Sequence, residues 1–313
     1  MRFPLTFWLL ALTAGSALVD ASALAQGTTA EPRGAFQTAR PLTIEPVGEN
    51  LYVISGEGGN VAVLTSPQGV LLVDNMFERN HADMLAAVAS VTDQAIRYVL
   101  NTHQHDDHAG GTRMLLPFSS VIAHDNVRTN LKAIRQPYYE DTPGLPVGLP
   151  QFTFPQTASL SLGNDTAVAY RPGRGHTNGD SVVYFLQQRT IHTGDLFIAR
   201  GSLNIYADYA QGGSLSEWVE TIDAILTLDF DTVIPGHGPM ATRADVVAFR
   251  GNLATMVERL RSLIESGATK AQLATILETD YGWRSTGCPP SPPTPGCLQY
   301  QQLDSLIAEL TEQ

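Results

Sequence analysis

Cysteine is scarce in this chain. Its 313 residues hold two, Cys288 and Cys297, and no C-x-x-C pair, so a thiolate metal site or a dithiol redox centre has little to stand on. Positive charge is scarce too: 19 Lys+Arg face 31 Asp+Glu, a net −12, which excludes a general nucleic-acid binder, since phosphate contacts need a basic face. Long apolar runs are missing after the N-terminus, which argues against stable membrane insertion. Charged residues make up only 16% against 43% hydrophobic, too apolar a balance for a disordered chain. No short-period repeat marks a solenoid.

The one long apolar stretch spans residues 1–25. Arg2 supplies a positive start, Phe3 to Val19 an apolar centre, and Ala23-Leu24-Ala25 a small-x-small site before Gln26. That pattern predicts a cleaved signal peptide and export to a periplasmic or secreted location. A membrane anchor is the alternative, disfavoured because Pro4, Gly15 and Asp20 interrupt the run. The cysteines suit an oxidising compartment: they bracket a Pro-rich loop and read as a structural disulfide, worth about 2–3 kcal/mol on the loop-entropy model.

Residues 26–40 read as a flexible mature N-terminus. Short β-branched runs between turn clusters follow at 51–54, 61–64, 70–73 and 96–100, with a helix over 81–90 and another from about 126 to 134. Residues 136–155, rich in Pro, Gly and aromatics, read as a loop of the kind that is either functional or disordered. Strands resume near 159–162, 167–170, 181–185 and 190–193. Ser214-Leu215-Ser216-Glu217 reads as a capping box that opens a helix to about Leu228. A last strand at 231–235 and a long helix at 242–266 complete a domain over 41–266, and residues 267–313 form a helical C-terminal extension. The order gives two similar halves, strands then helices, which two face-to-face sheets with helices outside would bury: an α/β, four-layer αββα sandwich.

The eight histidines carry the strongest signal. His103-x-His105-x-Asp107-His108 follows directly on the buried strand ending at Leu100. It sets three imidazoles and a carboxylate within six residues. Neutral imidazole is a good zinc ligand. His103 and His105, two apart in extended backbone, can face one side, and Asp107 with His108 can reach a second ion about 3.5–4 Å away. Three more candidates stand on Gly-containing turns at strand ends: His176 in Gly175-His176-Thr177, Asp195 in Gly194-Asp195, and His237 in Pro235-Gly236-His237-Gly238. His81, His124 and His192 read as structural, with His192 close enough to Asp195 in sequence to support it.

Over residues 45–265 these segments resemble the metallo-β-lactamase superfamily, in the family's order. The resemblance implies the αββα sandwich and two zinc ions per chain, with iron as an alternative metal. It places His103, His105 and His176 on one ion, Asp107, His108 and His237 on the other, and Asp195 between them. Asp74, closing the strand Leu71-Leu72-Val73-Asp74, matches the family's early acid and is expected to orient the ligand loop. Asp195 resembles the glyoxalase-II, lactonase and phosphodiesterase branches, while the Gly-His-Thr run resembles the first lactamase subclass. That subclass has a cysteine where Asp195 stands and, three residues on, a lysine where this chain has Ile198; the nearest cation here is Arg200.

The implied activity is hydrolysis of an acyl C–N, C–O or C–S bond in a small-molecule substrate, a β-lactam, lactone, ester or thioester, by a metal-activated water that Asp107 orients. Asn60, Tyr138, Tyr139, Phe152 and Arg200 are candidate substrate contacts, with Phe154 as a further pocket wall. Two rival readings remain open: a mononuclear-iron redox enzyme resembling the family's persulfide dioxygenases, and a non-catalytic metal-binding accessory protein. The oligomeric state is left open.

Overall fold

A computed structural model of the chain describes residues 41–139, 147–199, 205–283 and 302–312, with backbone alone over 135–139. The signal-like segment, the mature N-terminus, Arg200 and the Cys288–Cys297 loop lie outside the described residues.

The first half opens with an antiparallel meander of β1 (Thr43–Gly48), β2 (Leu51–Ser55), β3 (Val61–Ser66) and β4 (Gly69–Val73). Helix α1 (His81–Ala89) then carries the chain to β5 (Ile96–Asn101), which pairs parallel with β4. Two one-turn helices, α2 (Asp106–Ala109) and α3 (Thr112–Leu115), lead to β6 (Ser120–His124), and α4 (Asp125–Tyr139) to β7 (Phe152–Phe154), both strands again parallel. The order is sequential from β1 to β7.

The second half repeats the plan. β8 (Thr157–Leu162), β9 (Asp165–Tyr170), β10 (Val182–Phe185) and β11 (Thr190–His192) run antiparallel. Helix α5 (Leu215–Ile225) crosses to β12 (Thr232–Ile234), parallel to β11, and β13 (Ala241–Thr242) pairs antiparallel at the edge. Helix α6 (Arg243–Glu265) opens with a true capping box between Thr242 and Asp245. Helices α7 (Lys270–Tyr281) and α8 (Leu303–Thr311) follow.

Side-chain alternation along the strands builds four layers. Ala62 and Leu64, Leu71 and Val73, and Val183 and Phe185 point between the sheets and meet there with Phe154 and Ile234. Their neighbours Val61, Val63, Val70 and Leu72 point the other way, onto Met84 and Val88 of α1. Val182 and Val233 face a third cluster, filled by Trp218 and Ile222 of α5 and by Leu253, Met256 and Leu260 of α6. The expected αββα sandwich is therefore present. The C-terminal extension shares that third cluster through Leu273 and Leu277 of α7 and through Leu303, Leu306 and Leu310 of α8. Each of those α8 leucines is 3% exposed or less, so each contributes about 1.5–3 kcal/mol to docking the helix.

Three local readings need correction. Helix α4 continues to Tyr139, with Pro137 in its last turn, where the sequence suggests a stop near Ile134. Residues 152–154, expected as loop, form an edge strand whose three residues are too few to show a period. Strand β1 has mostly exposed residues, so it lacks the apolar signal that marks its neighbours.

Candidate metal centre and active site

Parallel strands deliver their carboxyl ends to one edge of each sheet, the usual place for a site in open α/β folds. β4 ends one residue before Asp74 and β5 leads into His103 and His105, with Asp107 and His108 on the α2 turn that follows. β11 leads to Asp195 and β12 to His237, while His176 sits on the loop between β9 and β10. Close approach there demands glycine: a Cβ on Gly236 would lie 2.1 Å from Asp195 Oδ1, and one on Gly59 2.3 Å from the His108 ring.

The seven side chains gather in one cluster. His105 Nδ1 is 2.8 Å from His176 Nε2, and His108 Nε2 is 3.2 Å from His237 Nε2. Asp195 lies between the two pairs, with Oδ1 3.1 Å from His108 Nε2 and 3.4 Å from His237 Nε2, and Oδ2 3.6 Å from His176 Nε2. Asp107 Oδ2 is 3.2 Å from His237 Nε2. Three triads bring their ligand atoms within 4.8 Å of one another: His103/His105/His176, His103/His108/Asp195 and Asp107/His108/His237.

Four rings are locked by a partner on their outer nitrogen, which fixes the proton there and leaves the inner nitrogen free. His108 Nδ1 donates to Asp74 Oδ2 at 2.7 Å, His176 Nδ1 to the Tyr206 carbonyl at 2.6 Å, and His105 Nε2 to Asp208 Oδ2 at 3.0 Å. The Thr102 hydroxyl gives its proton to Asp74 Oδ2 at 2.8 Å and so accepts from His103 Nδ1 at 3.0 Å. Asp74 also takes the Thr102 N–H at 2.7 Å. It is fully buried and holds a left-handed φ of 67°, a strained backbone for a non-glycine residue that these three bonds sustain.

The inner nitrogens face one another without partners suited to them. His103 Nε2 is buried with no hydrogen-bond partner, a cost that a cation would remove. Burial, then the imidazoles of His108, His176 and His105, hold His103 far below its ordinary pKa. Burial and His105 hold His176 down at about 4. Both are therefore neutral at physiological pH, as metal ligation requires. Burial would lower His237 as well, but Asp195 and Asp107 outweigh it and raise that ring to about 9. Asp195 is held well below the carboxylate range, since His237 and His108 outweigh the opposing effect of burial.

The metallo-beta-lactamase superfamily model matches residues 54–237, more than half of the chain. The chain belongs to this superfamily. It is a metal-dependent hydrolase of that family, and the histidine–aspartate cluster is its candidate metal-binding centre. A type 2 metallo-beta-lactamase of Bacillus cereus is 27% identical over 213 residues, which is 64% of this chain and 78% of that one. The beta-lactamase-like protein 2 homolog of Caenorhabditis elegans is 24% identical over 201 residues, 62% of this chain and 60% of its own. Among solved structures, a metallo-beta-lactamase from Pontibacter korlensis superposes with a TM-score of 0.58 at 20% identity, covering 68% of this chain and 99% of that one. At that identity the likeness speaks for the fold.

The superfamily fold thus gathers all seven residues singled out as metal ligands, and Asp74 beneath them. The substrate-contact candidates fare differently. Asn60 lines the cleft that opens beside His237, and its amide also ties two loops together, donating to the carbonyls of Pro235 at 2.9 Å and Gly238 at 3.0 Å and accepting from Ser55 Oγ at 2.8 Å. Phe154 is a correction, being buried between the sheets. Phe152 stands 57% exposed on edge strand β7. The Tyr138 and Tyr139 side chains and Arg200 lie outside the described residues. His192 does support the centre, since it accepts the Gly194 N–H and its Nε2 donates to the Asn60 carbonyl.

The contributions of Thr102, Tyr206 and Asp208 escape sequence reading. Asp208 serves a histidine 103 positions away, and no local pattern announces that. Beside His237 a cleft of about 730 Å³ opens between Thr43, Glu45 and Ser55 on one side and Ala199, Pro239 and Met240 on the other.

Proposed function

We propose that the protein is an exported, dinuclear zinc-dependent hydrolase of acyl C–N, C–O or C–S bonds in small molecules such as β-lactams, lactones, esters or thioesters. One observation carries the reading: four histidines locked by outer partners turn their free nitrogens toward two carboxylates in one buried cluster. In this assignment His103, His105 and His176 would hold one ion and Asp107, His108 and His237 the other, with Asp195 placed to serve both. Five imidazoles and two carboxylates suit borderline-soft zinc. Zinc bound there supplies Lewis acidity and lowers the pKa of water toward about 7.

The chain's own residues do the rest. Asp74, Thr102, Tyr206 and Asp208 hold the rings still, so little reorganisation accompanies reaction. Asp107 is the more exposed carboxylate, 27% against 12% for Asp195. Its carboxyl is held well below the ordinary range, where the His108 and His237 charges overcome burial. It therefore stays ionised, orients the attacking water through an accepted hydrogen bond, and passes a proton toward the leaving group. The cleft beside His237 receives the acyl substrate. The N-terminal apolar segment, with its small-x-small site, supports export.

The test is a turnover screen of zinc-loaded protein against a β-lactam, a lactone, a thioester and a phosphodiester, with metal analysis of the same sample. Hydrolysis of one or more acyl substrates at about two zincs per chain is expected. Turnover of the phosphodiester alone, or one iron per chain without acyl hydrolysis, would overturn the proposal.

A further inference from the structure

The sequence reads Ser214-Leu215-Ser216-Glu217 as a capping box, yet only half of it forms. Ser214 Oγ accepts the Glu217 N–H at 3.1 Å, but the Glu217 carboxylate turns away to the Arg174 guanidinium, accepting Nε–H at 2.9 Å. The missing carboxylate arrives from 95 residues downstream. Glu309, on α8, reaches the start of α5 and accepts five hydrogen bonds there. Its Oε2 takes Tyr209 OH at 2.6 Å and the N–H groups of Leu215 and Ser216 at 3.2 and 3.4 Å. Its Oε1 takes the hydroxyls of Ser214 and of Ser216, the latter at 2.8 Å. Two of the unpaired N–H groups of the first helical turn are thus met by a negative charge where the helix dipole favours one.

The segment so anchored, 205–214, is the one that supports the metal centre. Tyr206 lends its carbonyl to His176 Nδ1 and Asp208 its carboxylate to His105 Nε2. The same segment is stitched to the His176 loop by Asp208 N–H to the His176 carbonyl at 2.8 Å and Ser214 N–H to the Gly175 carbonyl at 2.9 Å. Tyr209 sits one residue after Asp208. Burial and the Glu309 charge keep the Tyr209 hydroxyl protonated far into the alkaline range, so it serves as a donor. The C-terminal extension adds a further, long contact from Gln302 Nε2 to Tyr206 OH at 3.5 Å.

We infer that Glu309 is a positioning residue for the metal centre: from outside the span that matches the superfamily model, it clamps the 205–214 segment and so fixes Asp208 and the Tyr206 carbonyl against His105 and His176. The inference rests on the dinuclear reading above and concerns the ion held by His103, His105 and His176. Loosening the clamp frees the outer nitrogens of two of its three ligands, and loss of such outer partners typically weakens a metal site about 10–100-fold.

The test compares the unaltered full chain with Glu309→Ala, Tyr209→Phe and Leu273→Ala. Zinc affinity is read by competition with a chromophoric chelator, and ligand geometry by the visible spectrum of the cobalt(II)-loaded protein. Leu273, buried in α7 in the apolar cluster that also holds Leu306 and Leu310 but with no polar group to join the Glu309 hydrogen bonds, reports what lost packing alone does. Glu309→Ala and Tyr209→Phe are expected to weaken the tighter or the weaker of the two zinc steps, but only one of them, and to alter the cobalt spectrum. Leu273→Ala is expected to lower Tm with both zinc steps and the spectrum unchanged. Should Glu309→Ala fail to fold, Tyr209→Phe decides, since it removes one hydroxyl and nothing else. If the unaltered chain binds two zincs and both clamp variants bind them equally well, the Glu309 assignment is overturned while the dinuclear reading stands. If the unaltered chain binds no zinc tightly, both fall together.

Discussion

Asp74 shows how much one side chain settles here. It orients His108 directly and His103 through Thr102, so Asp74→Asn should weaken zinc binding about 10–100-fold, read by chelator competition, with the fold intact by circular dichroism. His103→Ala removes a nitrogen shared by two of the candidate triads; turnover should vanish, and full activity in that variant would refute the ligand set. Asp180 offers a pH test on the turn that follows His176. Buried and bonded to Thr177, its carboxyl is pushed up to about 7, burial outweighing those bonds. Because the folded value lies above the unfolded one near 4, its stabilising share is complete below about pH 4 and is lost as pH rises through about 7. The slope is at most about 1.4 kcal/mol per pH unit. Urea unfolding of Asp180→Asn between pH 4 and 8 should give a flatter profile than the unaltered chain. An unchanged slope would exclude Asp180 as its source. The candidate ligand residues were legible in sequence because each sits in a short motif. Asp208 and Glu309 were not, because each acts on a residue far along the chain.

Among the elements, the inner strands of the sheets were the readable ones: two faces of each are buried, so Val61–Leu64 or Val70–Val73 appears as a continuous apolar run. The edges β1, β7 and β13 were not, being exposed or only two or three residues long. Turns announced themselves through glycine, and at Gly236 the structure gives the reason, a close approach to Asp195. Gly236→Ala should displace either the His237 turn or the Asp195 carboxylate. The expected result is loss of activity and of bound metal with near-native far-ultraviolet dichroism. Retention of two metals per chain would mean that the neighbouring backbone yields more than a packed site should. The capping segment at 214–217 is a different lesson. The motif located the helix start correctly, but its glutamate was recruited by Arg174 and a carboxylate from α8 took its place.

For the whole molecule, two similar halves join at the inter-sheet core, and the site lies where the carboxyl ends of strands from both halves meet. A cluster of neutral and cationic imidazoles around buried carboxylates is stabilised by any cation that binds the folded chain alone, by about 2.7 kcal/mol at a hundredfold excess over Kd. Chelation should therefore lower Tm and zinc restore it, whereas a Tm indifferent to metal would speak against a preformed site. Among the described residues no helix is long and apolar enough to cross a membrane. The most direct test is crystallographic: anomalous difference maps recorded on either side of the zinc absorption edge from zinc-loaded protein. Two peaks about 3.5–4 Å apart, one against His103, His105 and His176 and the other against Asp107, His108 and His237, are expected. A single peak, or peaks away from these residues, would contradict the account.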